Sequence, residues 1–241
     1  MKSPPAGRFR RATPSSSAQH HFQKLPIDAS FHVQDTRDIT KLAGPEKGVW
    51  YCAYVIIDIF SRYVVGWTVE RAESAERAEE LIRETIACNQ IVPEHVHADR
   101  GTAMTSKKVS QLLIDLGVTR SHSRPGVSND NPYSESHFKT VKYAPDYPER
   151  FDSLAHAREW MEGFLTYYNH THRHSGIGYH TPASVHFGTA ELVREQRATT
   201  LAEAYARHPE RFNHRPQPPR IPHQAWINDP AKRRQPEPHI S

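Results

Sequence analysis

Hydrophobic residues along this chain form short strand-like runs and longer helix-like stripes. Residues 50–59 are apolar and β-branched, which predicts a buried central strand. Residues 62–69 predict a second strand, joined to the first by a tight Phe-Ser-Arg turn into a hairpin. A preceding strand is predicted at 35–42, and two short strands at 96–99 and 118–122. The pattern therefore predicts three consecutive strands, followed by strands that alternate with helices.

The helical stripes lie between and after these strands. Ser74 is predicted to cap a helix that places Ala78, Leu81 and Ile82 on one face. Further helices are predicted at 105–116 before Gly117, from Pro132, from Ser153, from Thr181-Pro182 and over 190–207. This order predicts an α/β fold, a ribonuclease H-like mixed five-stranded sheet flanked by helices.

Composition divides the chain into four predicted parts. Residues 1–30 carry five Lys or Arg against one acid and no periodicity, which predicts a disordered basic segment. Residues 31–187 form the predicted core, and 188–210 add a C-terminal helix. Residues 211–241 are basic and rich in proline, and Trp226 and Ile227 are expected to dock this tail. Phosphate binding and plain solvation remain equal alternatives for both ends.

Charge and cysteine content narrow the classes of function. The net charge of +4 and the pI near 9.1 fit a polyanionic partner without requiring one. The longest apolar run, 49–57, is too short to span a bilayer, so no membrane association is expected. Cys52 and Cys88 do not have the spacing of a metal site, and the sequence lacks a secretory signal at its start. The expected location is the reducing cytoplasm.

Three acids on three different predicted elements are the candidate chemistry. Asp99 lies in His-Ala-Asp-Arg-Gly, Glu135 follows after 35 intervening residues, and Asp38 lies upstream in Asp-Ile-Thr. Such carboxylates can hold divalent cations against a phosphodiester. With 27 acids in the chain, ordinary turn, helix and edge-strand roles remain the alternative.

The residues around Glu135 add a basic helical face. Lys139 and Lys142 stand four and seven residues after it, which places all three on one side of a helix. Contact with a DNA backbone is one interpretation, and an ordinary Glu–Lys surface pair is the other. The preceding Asn129-Asp130-Asn131 predicts a turn and helix cap, with substrate contact as its alternative.

Three alternating histidines follow the helix that begins at Ser153. His170, His172 and His174 leave zinc binding open, but no cysteine or carboxylate stands at a recognised spacing. We therefore expect these side chains to be solvated or to face DNA. Tyr168 and Asn169 are expected to pack the helix against the core.

An ordered set of motifs resembles a known family. The chain resembles the catalytic core of bacterial insertion-sequence transposases of the insertion-sequence-three type, which is similar to the retroviral integrase core. The resemblance covers roughly 38–187, through segments 38–40, 55–67, 97–101, 123–142, 167–169, 172–178 and 181–182.

The resemblance implies a function and a set of site residues. Asp38, Asp99 and Glu135 would be a catalytic triad that binds two Mg²⁺ or Mn²⁺ ions. A 3′ hydroxyl freed by hydrolysis would then attack a phosphodiester without a covalent protein intermediate. Lys139 and Lys142 would face DNA. The implied partners are element ends, target DNA, further copies of the chain in a homo-oligomer and a companion helix-turn-helix protein.

The chain departs from this family at its start. Asp35-Thr36-Arg37 replaces the tryptophans that commonly flank the first acid; Asp35 is an alternative first ligand, although Asp-Ile-Thr favours Asp38. Asp58 and Arg62 match a motif beside the core and are interpreted as structural. No helix-turn-helix is readable upstream, so a truncated or frameshifted copy is expected.

The alternative functions are a catalytically poor remnant that binds DNA or inhibits transposition, and a structure-specific nuclease.

Overall fold

The computed structural model describes residues 34–98, 103, 105–122 and 131–227. The predictions for residues 1–30, Asp99, Asn129, Asp130 and the tail after 227 lie outside this part of the chain.

A mixed sheet forms the centre of the fold. Its strands are β1 (Gln34–Ala43), β2 (Trp50–Asp58), β3 (Val64–Glu70), β4 (His95–Ala98) and β5 (Thr119–His122), in the spatial order β3-β2-β1-β4-β5. The first three strands are antiparallel neighbours, and β4 joins β1 in parallel. The predicted hairpin is confirmed, but β3 begins at Val64 because Arg62 adopts a left-handed turn conformation with φ of 66°.

The described part of the chain contains six α-helices. Ser74, Ser106, Ser153 and Thr181 each cap a helix by accepting a backbone hydrogen bond. The bounds are α1 (Ala75–Asn89), α2 (Lys107–Asp115), α3 (Pro132–Lys142), α4 (Leu154–His170), α5 (Pro182–His186) and α6 (Ala190–Arg207). None of the helices described has both the length and the apolar character that a bilayer span requires.

Strand β2 lies between β3 and β1 and is buried on both faces. The middle strand of the sheet is β1, so the burial predicted for residues 50–59 is confirmed but their central position is wrong. Val55 and Ile57 point towards α3 and α4, whereas Tyr54 and Ile56 point towards α1 and α2. This arrangement follows from the two-residue repeat of a strand, which sends successive side chains to opposite faces. The α/β class predicted from the hydrophobic pattern is therefore confirmed.

A smaller cluster lies beyond the sheet. Ile177, Val185 and Ala190 pack together where a short 3₁₀ helix (Ser175–Ile177), α5 and α6 meet. Phe60 from the β2–β3 turn and Ile221 from the C-terminal segment complete it. This cluster ties the C-terminal part of the chain to the sheet.

Candidate active site

Asp38 lies in β1 on the face of the sheet that α3 and α4 cover. Its cross-strand partner is Val55, which packs in the same hydrophobic cluster as Phe138 of α3. Leu42, four residues along β1, belongs to that cluster too. Directly paired residues, and every second residue of one strand, point to the same face of a sheet. Asp38 therefore points to the face that also carries Val55 and Leu42. Its Oδ1 accepts a hydrogen bond of 2.8 Å from the backbone N–H of Ile39.

Glu135 lies in the first turn of α3 and is exposed to solvent. The helix begins at Pro132, where a missing N–H costs no hydrogen bond, as the sequence predicted. Phe138 and Val141 are buried against the sheet, and the helix packs on β1. Glu135 and Asp38 therefore lie on the same side of the sheet, on two elements in direct contact.

Asp99 lies outside the described residues. The residue before it, Ala98, ends β4 and pairs with Arg37, the neighbour of Asp38. Among the described residues no group of three His, Cys, Asp or Glu side chains stands close enough to hold a metal ion. Two of the three predicted acids are thus on one face, and the position of the third stays a prediction.

Lys139 and Lys142 are both exposed on α3. Neither forms a salt bridge with any described residue, and Glu135 also lacks one. The alternative of an ordinary Glu135–Lys139 surface pair is therefore wrong for this structure. Asn131 occupies the N-cap position, but its side chain makes no capping hydrogen bond.

A buried hydrogen-bond network holds the turn between β2 and β3. The carboxylate of Asp58 accepts bonds from the Ser61 hydroxyl and, at 3.0 Å, from the Phe60 N–H. It also lies 3.1 Å from Nδ1 of His186 in α5. Burial alone would raise the pKa of Asp58, but the hydrogen bond and charge of His186 and the bond from Ser61 outweigh it, so the pKa is lowered.

The Ser61, His186 and Asp58 side chains do not form a hydrolytic triad. In a triad the imidazole stands between the hydroxyl and the carboxylate, with one ring nitrogen for each. Here the hydroxyl and the ring both contact the carboxylate, and Ser61 is fully buried. The network is a structural clamp between the turn and α5, which agrees with the structural role predicted for Asp58.

Arg62 connects this turn to the helix that carries Glu135. Its guanidinium carbon lies 4.0 Å from the centre of the Tyr133 ring, a cation–π contact. Burial lowers the pKa of this guanidinium, and its buried Nη1 has no hydrogen-bond partner among the residues that the structure describes. No local pattern in the sequence points to Tyr133 or His186, because each lies more than 70 residues from the turn that it contacts.

The alternating histidines differ from the prediction. His170 is exposed as expected, but His172 and His174 are half-buried, and the His172 ring stacks on Tyr168 at 5.4 Å. Burial, followed by the charges of Arg62 and His172, lowers the pKa of His174 to about 4. Its Nδ1 accepts the Gly176 N–H at 3.1 Å, so it caps the short 3₁₀ helix. The expectation that all three are solvated or face DNA is wrong for this capping histidine.

Comparison with known proteins gives consistent matches. Two family models, both described as an integrase core domain, match residues 33–128 and 116–182. The transposase for insertion sequence element IS904 of Lactococcus lactis is 34% identical over 143 residues, which cover 57% of this chain and 54% of the relative. Transposase InsF for insertion sequence IS3A of Escherichia coli is 30% identical over 182 residues, which cover 70% of this chain and 61% of the relative.

The solved structures show a similar fold. The simian T-cell lymphotropic virus intasome, in complex with the PP2A regulatory subunit B56 gamma, matches with a TM-score of 0.52 and 21% identity. That match covers 64% of this chain and 54% of the viral chain. The chain spans about half the length of the first curated relatives that it matches.

Proposed function

Because this chain belongs to the integrase core family of insertion-sequence transposases and retroviral integrases, we propose that it catalyses DNA cleavage and strand transfer for a bacterial insertion sequence. The observation that carries this proposal is the shared face of Asp38 and Glu135, on two elements that pack together. Asp99 joins them in the proposal because it directly follows Ala98, which pairs beside Asp38.

The three carboxylates fit a site for two Mg²⁺ or Mn²⁺ ions. Magnesium prefers oxygen ligands and keeps several waters, so a few side chains and a substrate phosphate complete its shell. Glu135 is exposed without a salt bridge among the described residues, so its carboxylate is available as a ligand. Bound ions would activate the attacking oxygen and stabilise the leaving one.

The protein's own side chains would orient the DNA. Lys139 and Lys142 project from the same helix face as Glu135, where each would contact a phosphate of the backbone. The nucleophile is a 3′ hydroxyl of the DNA, and no covalent bond to the protein forms. The reaction exchanges one phosphodiester for another and releases a new 3′ hydroxyl.

The wider assignment follows from the same family. We assign residues 31–187 to the catalytic core, 188–210 to a C-terminal helix, and the ends at 1–30 and 211–241 to basic extensions. The proposed partners are element ends, target DNA, further copies of the chain and a companion helix-turn-helix protein, all in the bacterial cytoplasm. No structural observation favours the alternative of an inactive remnant.

A joining assay tests this function directly. The purified chain is incubated with pre-cut element ends, a target duplex and Mg²⁺ or Mn²⁺. We expect Asp99→Asn and Glu135→Gln each to lower joining about 100-fold or more, as for loss of a group that stabilises transition-state charge. Glu162→Gln is the matched control, because Glu162 is an exposed glutamate on the neighbouring helix α4.

The outcomes separate the hypotheses. Joined products that disappear only in the two site variants support a strand transferase. Nicking without joining would indicate a nuclease, and DNA binding without any chemistry would indicate a remnant. Unchanged joining in Asp99→Asn would contradict the proposed triad.

A further inference from the structure

The segment after α6 folds back along the protein; we name residues 212–227 the C-terminal strap. At its start the Phe212 ring packs against Tyr205, with ring centres 5.7 Å apart. Further along, the Arg220 carbonyl approaches Gly178 so closely that a Cβ there would lie 2.8 Å from it. Ile221 then packs on the cluster of Ile177, Val185 and Ala190. The strap is therefore seated on the protein at several successive points.

The strap reaches the helix that carries Glu135. The hydroxyl of Tyr133 donates a hydrogen bond of 2.9 Å to the backbone carbonyl of Trp226. The same tyrosine ring receives the Arg62 guanidinium at 4.0 Å from its centre. Tyr133 is thus held from two sides, by the strap through its hydroxyl and by the β2–β3 turn through its ring.

Both partners of Tyr133 are themselves anchored. Arg62 stands in a turn whose backbone closes with a 2.8 Å bond from the Arg62 N–H to the Asp58 carbonyl. The Asp58 carboxylate in turn contacts His186 of α5. The β2–β3 turn, α5 and the strap therefore form one connected support for the start of α3.

The contacts of Tyr133 act on the first turn of α3. Asn131 stands at the N-cap position of this helix, and its side chain makes no capping hydrogen bond. Glu135 lies in this first turn, so contacts that fix the turn also fix the base of its side chain.

Tyr133 can hold the turn without occupying the site. Residues two apart on a helix point about 200° away from each other, since each residue advances about 100°. Tyr133 therefore faces the strap and the turn while Glu135 faces solvent. We propose that Tyr133 is a positioning residue, through which the C-terminal strap sets the position of the Glu135 carboxylate for metal binding. The part of this inference that concerns metal binding rests on the proposed function.

Hydrogen exchange and metal binding of the full chain test this proposal. Tyr133→Phe removes the bond to Trp226 but keeps the ring for Arg62. We expect exchange about 3- to 10-fold faster in peptides covering 131–137 and 220–227, the factor expected for one lost hydrogen bond. We also expect a weaker affinity for Mn²⁺ by a similar factor, measured by calorimetry without DNA. Tyr143→Phe is the matched control, because Tyr143 follows the same helix and is 82% exposed.

A second variant separates the two supports. Tyr133→Ala also removes the ring under Arg62, so both effects should exceed those of Tyr133→Phe. Unchanged exchange at 220–227 in Tyr133→Phe would overturn the strap contact. Faster exchange with Mn²⁺ affinity equal to that of Tyr143→Phe would overturn the positioning role. Neither measurement uses DNA joining, so a failure of the proposed function is detected separately.

Discussion

At the scale of single residues, Asp38 and Glu135 lie on one face of the sheet. Motif and spacing select both as candidate metal ligands, and that role stays a prediction. Tyr133 and His186 were missed, because their roles depend on contacts with distant parts of the chain. A local pattern contains no information about such partners.

The exposed lysines give a prediction on DNA affinity. Lys139→Ala should weaken binding of a short duplex and reduce the slope of log K against log salt by about 1, as for one lost phosphate contact. Mn²⁺ affinity should not change. Lys47→Ala, an exposed lysine in the β1–β2 loop, is the control. Equal losses of DNA and metal binding in Lys139→Ala would argue against a backbone contact.

His174 gives a prediction on pH dependence. Burial, with the charges of Arg62 and His172, lowers its folded pKa to about 4 from the ordinary 6.5. The unfolded chain therefore binds this proton more readily, so stability is full above about pH 6.5 and falls as the pH drops towards 4. His174→Asn keeps a capping acceptor without a titrating ring. Urea unfolding between pH 7 and 4 should show a shallower loss in this variant, and parallel curves would contradict the assignment.

At the scale of elements, the start signals in the sequence were accurate. Ser74, Pro132 and Ser153 stand at the predicted helix starts. These starts could be predicted because capping by serine and the fixed φ of proline both act within a few residues of the helix start. The hydrophobic pattern alone does not give the order of the strands in the sheet. Strand β2 is apolar on both faces, so its pattern cannot show which helices cover which side. Pairing partners are set by the whole fold.

Asn169 gives a prediction on the attachment of α4 to the sheet. Its side chain accepts from the Val64 N–H at 2.9 Å and donates to the Val64 carbonyl at 3.1 Å, both buried. Asn169→Ala leaves these two backbone groups without partners and should cost about 2–3 kcal/mol of unfolding free energy. Glu162→Ala, exposed on the same helix, should cost less than about 0.5 kcal/mol. Similar urea midpoints for the two variants would contradict this role.

At the scale of the whole molecule, the ordered motifs carried more information than composition. A net charge of +4 fits many proteins, whereas the motif order implied the family that the comparisons confirm. The C-terminal strap was predicted only as a docked tail, because its seat combines α3, α5 and α6. The surfaces of these three helices are brought together only by the complete tertiary fold.

Metal binding should stabilise the folded chain. Ions that bind only the folded state raise the unfolding free energy by about 1.4 kcal/mol at ten times their Kd. We therefore expect Mg²⁺ to shift the urea midpoint upwards in the wild type and not in Glu135→Gln. Glu162→Gln should respond like the wild type. An equal shift in Glu135→Gln would show that the ions bind elsewhere.

The central claim is that three carboxylates share the same cations, and iron-directed cleavage tests it most directly. Fe²⁺ in place of Mg²⁺, with ascorbate and peroxide, cuts the backbone close to the bound metal. We predict cuts near Asp38, Asp99 and Glu135, all suppressed by excess Mg²⁺ and lost together in Glu135→Gln. Cleavage that omits one of these three segments, or that lies around the histidines at 170–174, would contradict the account.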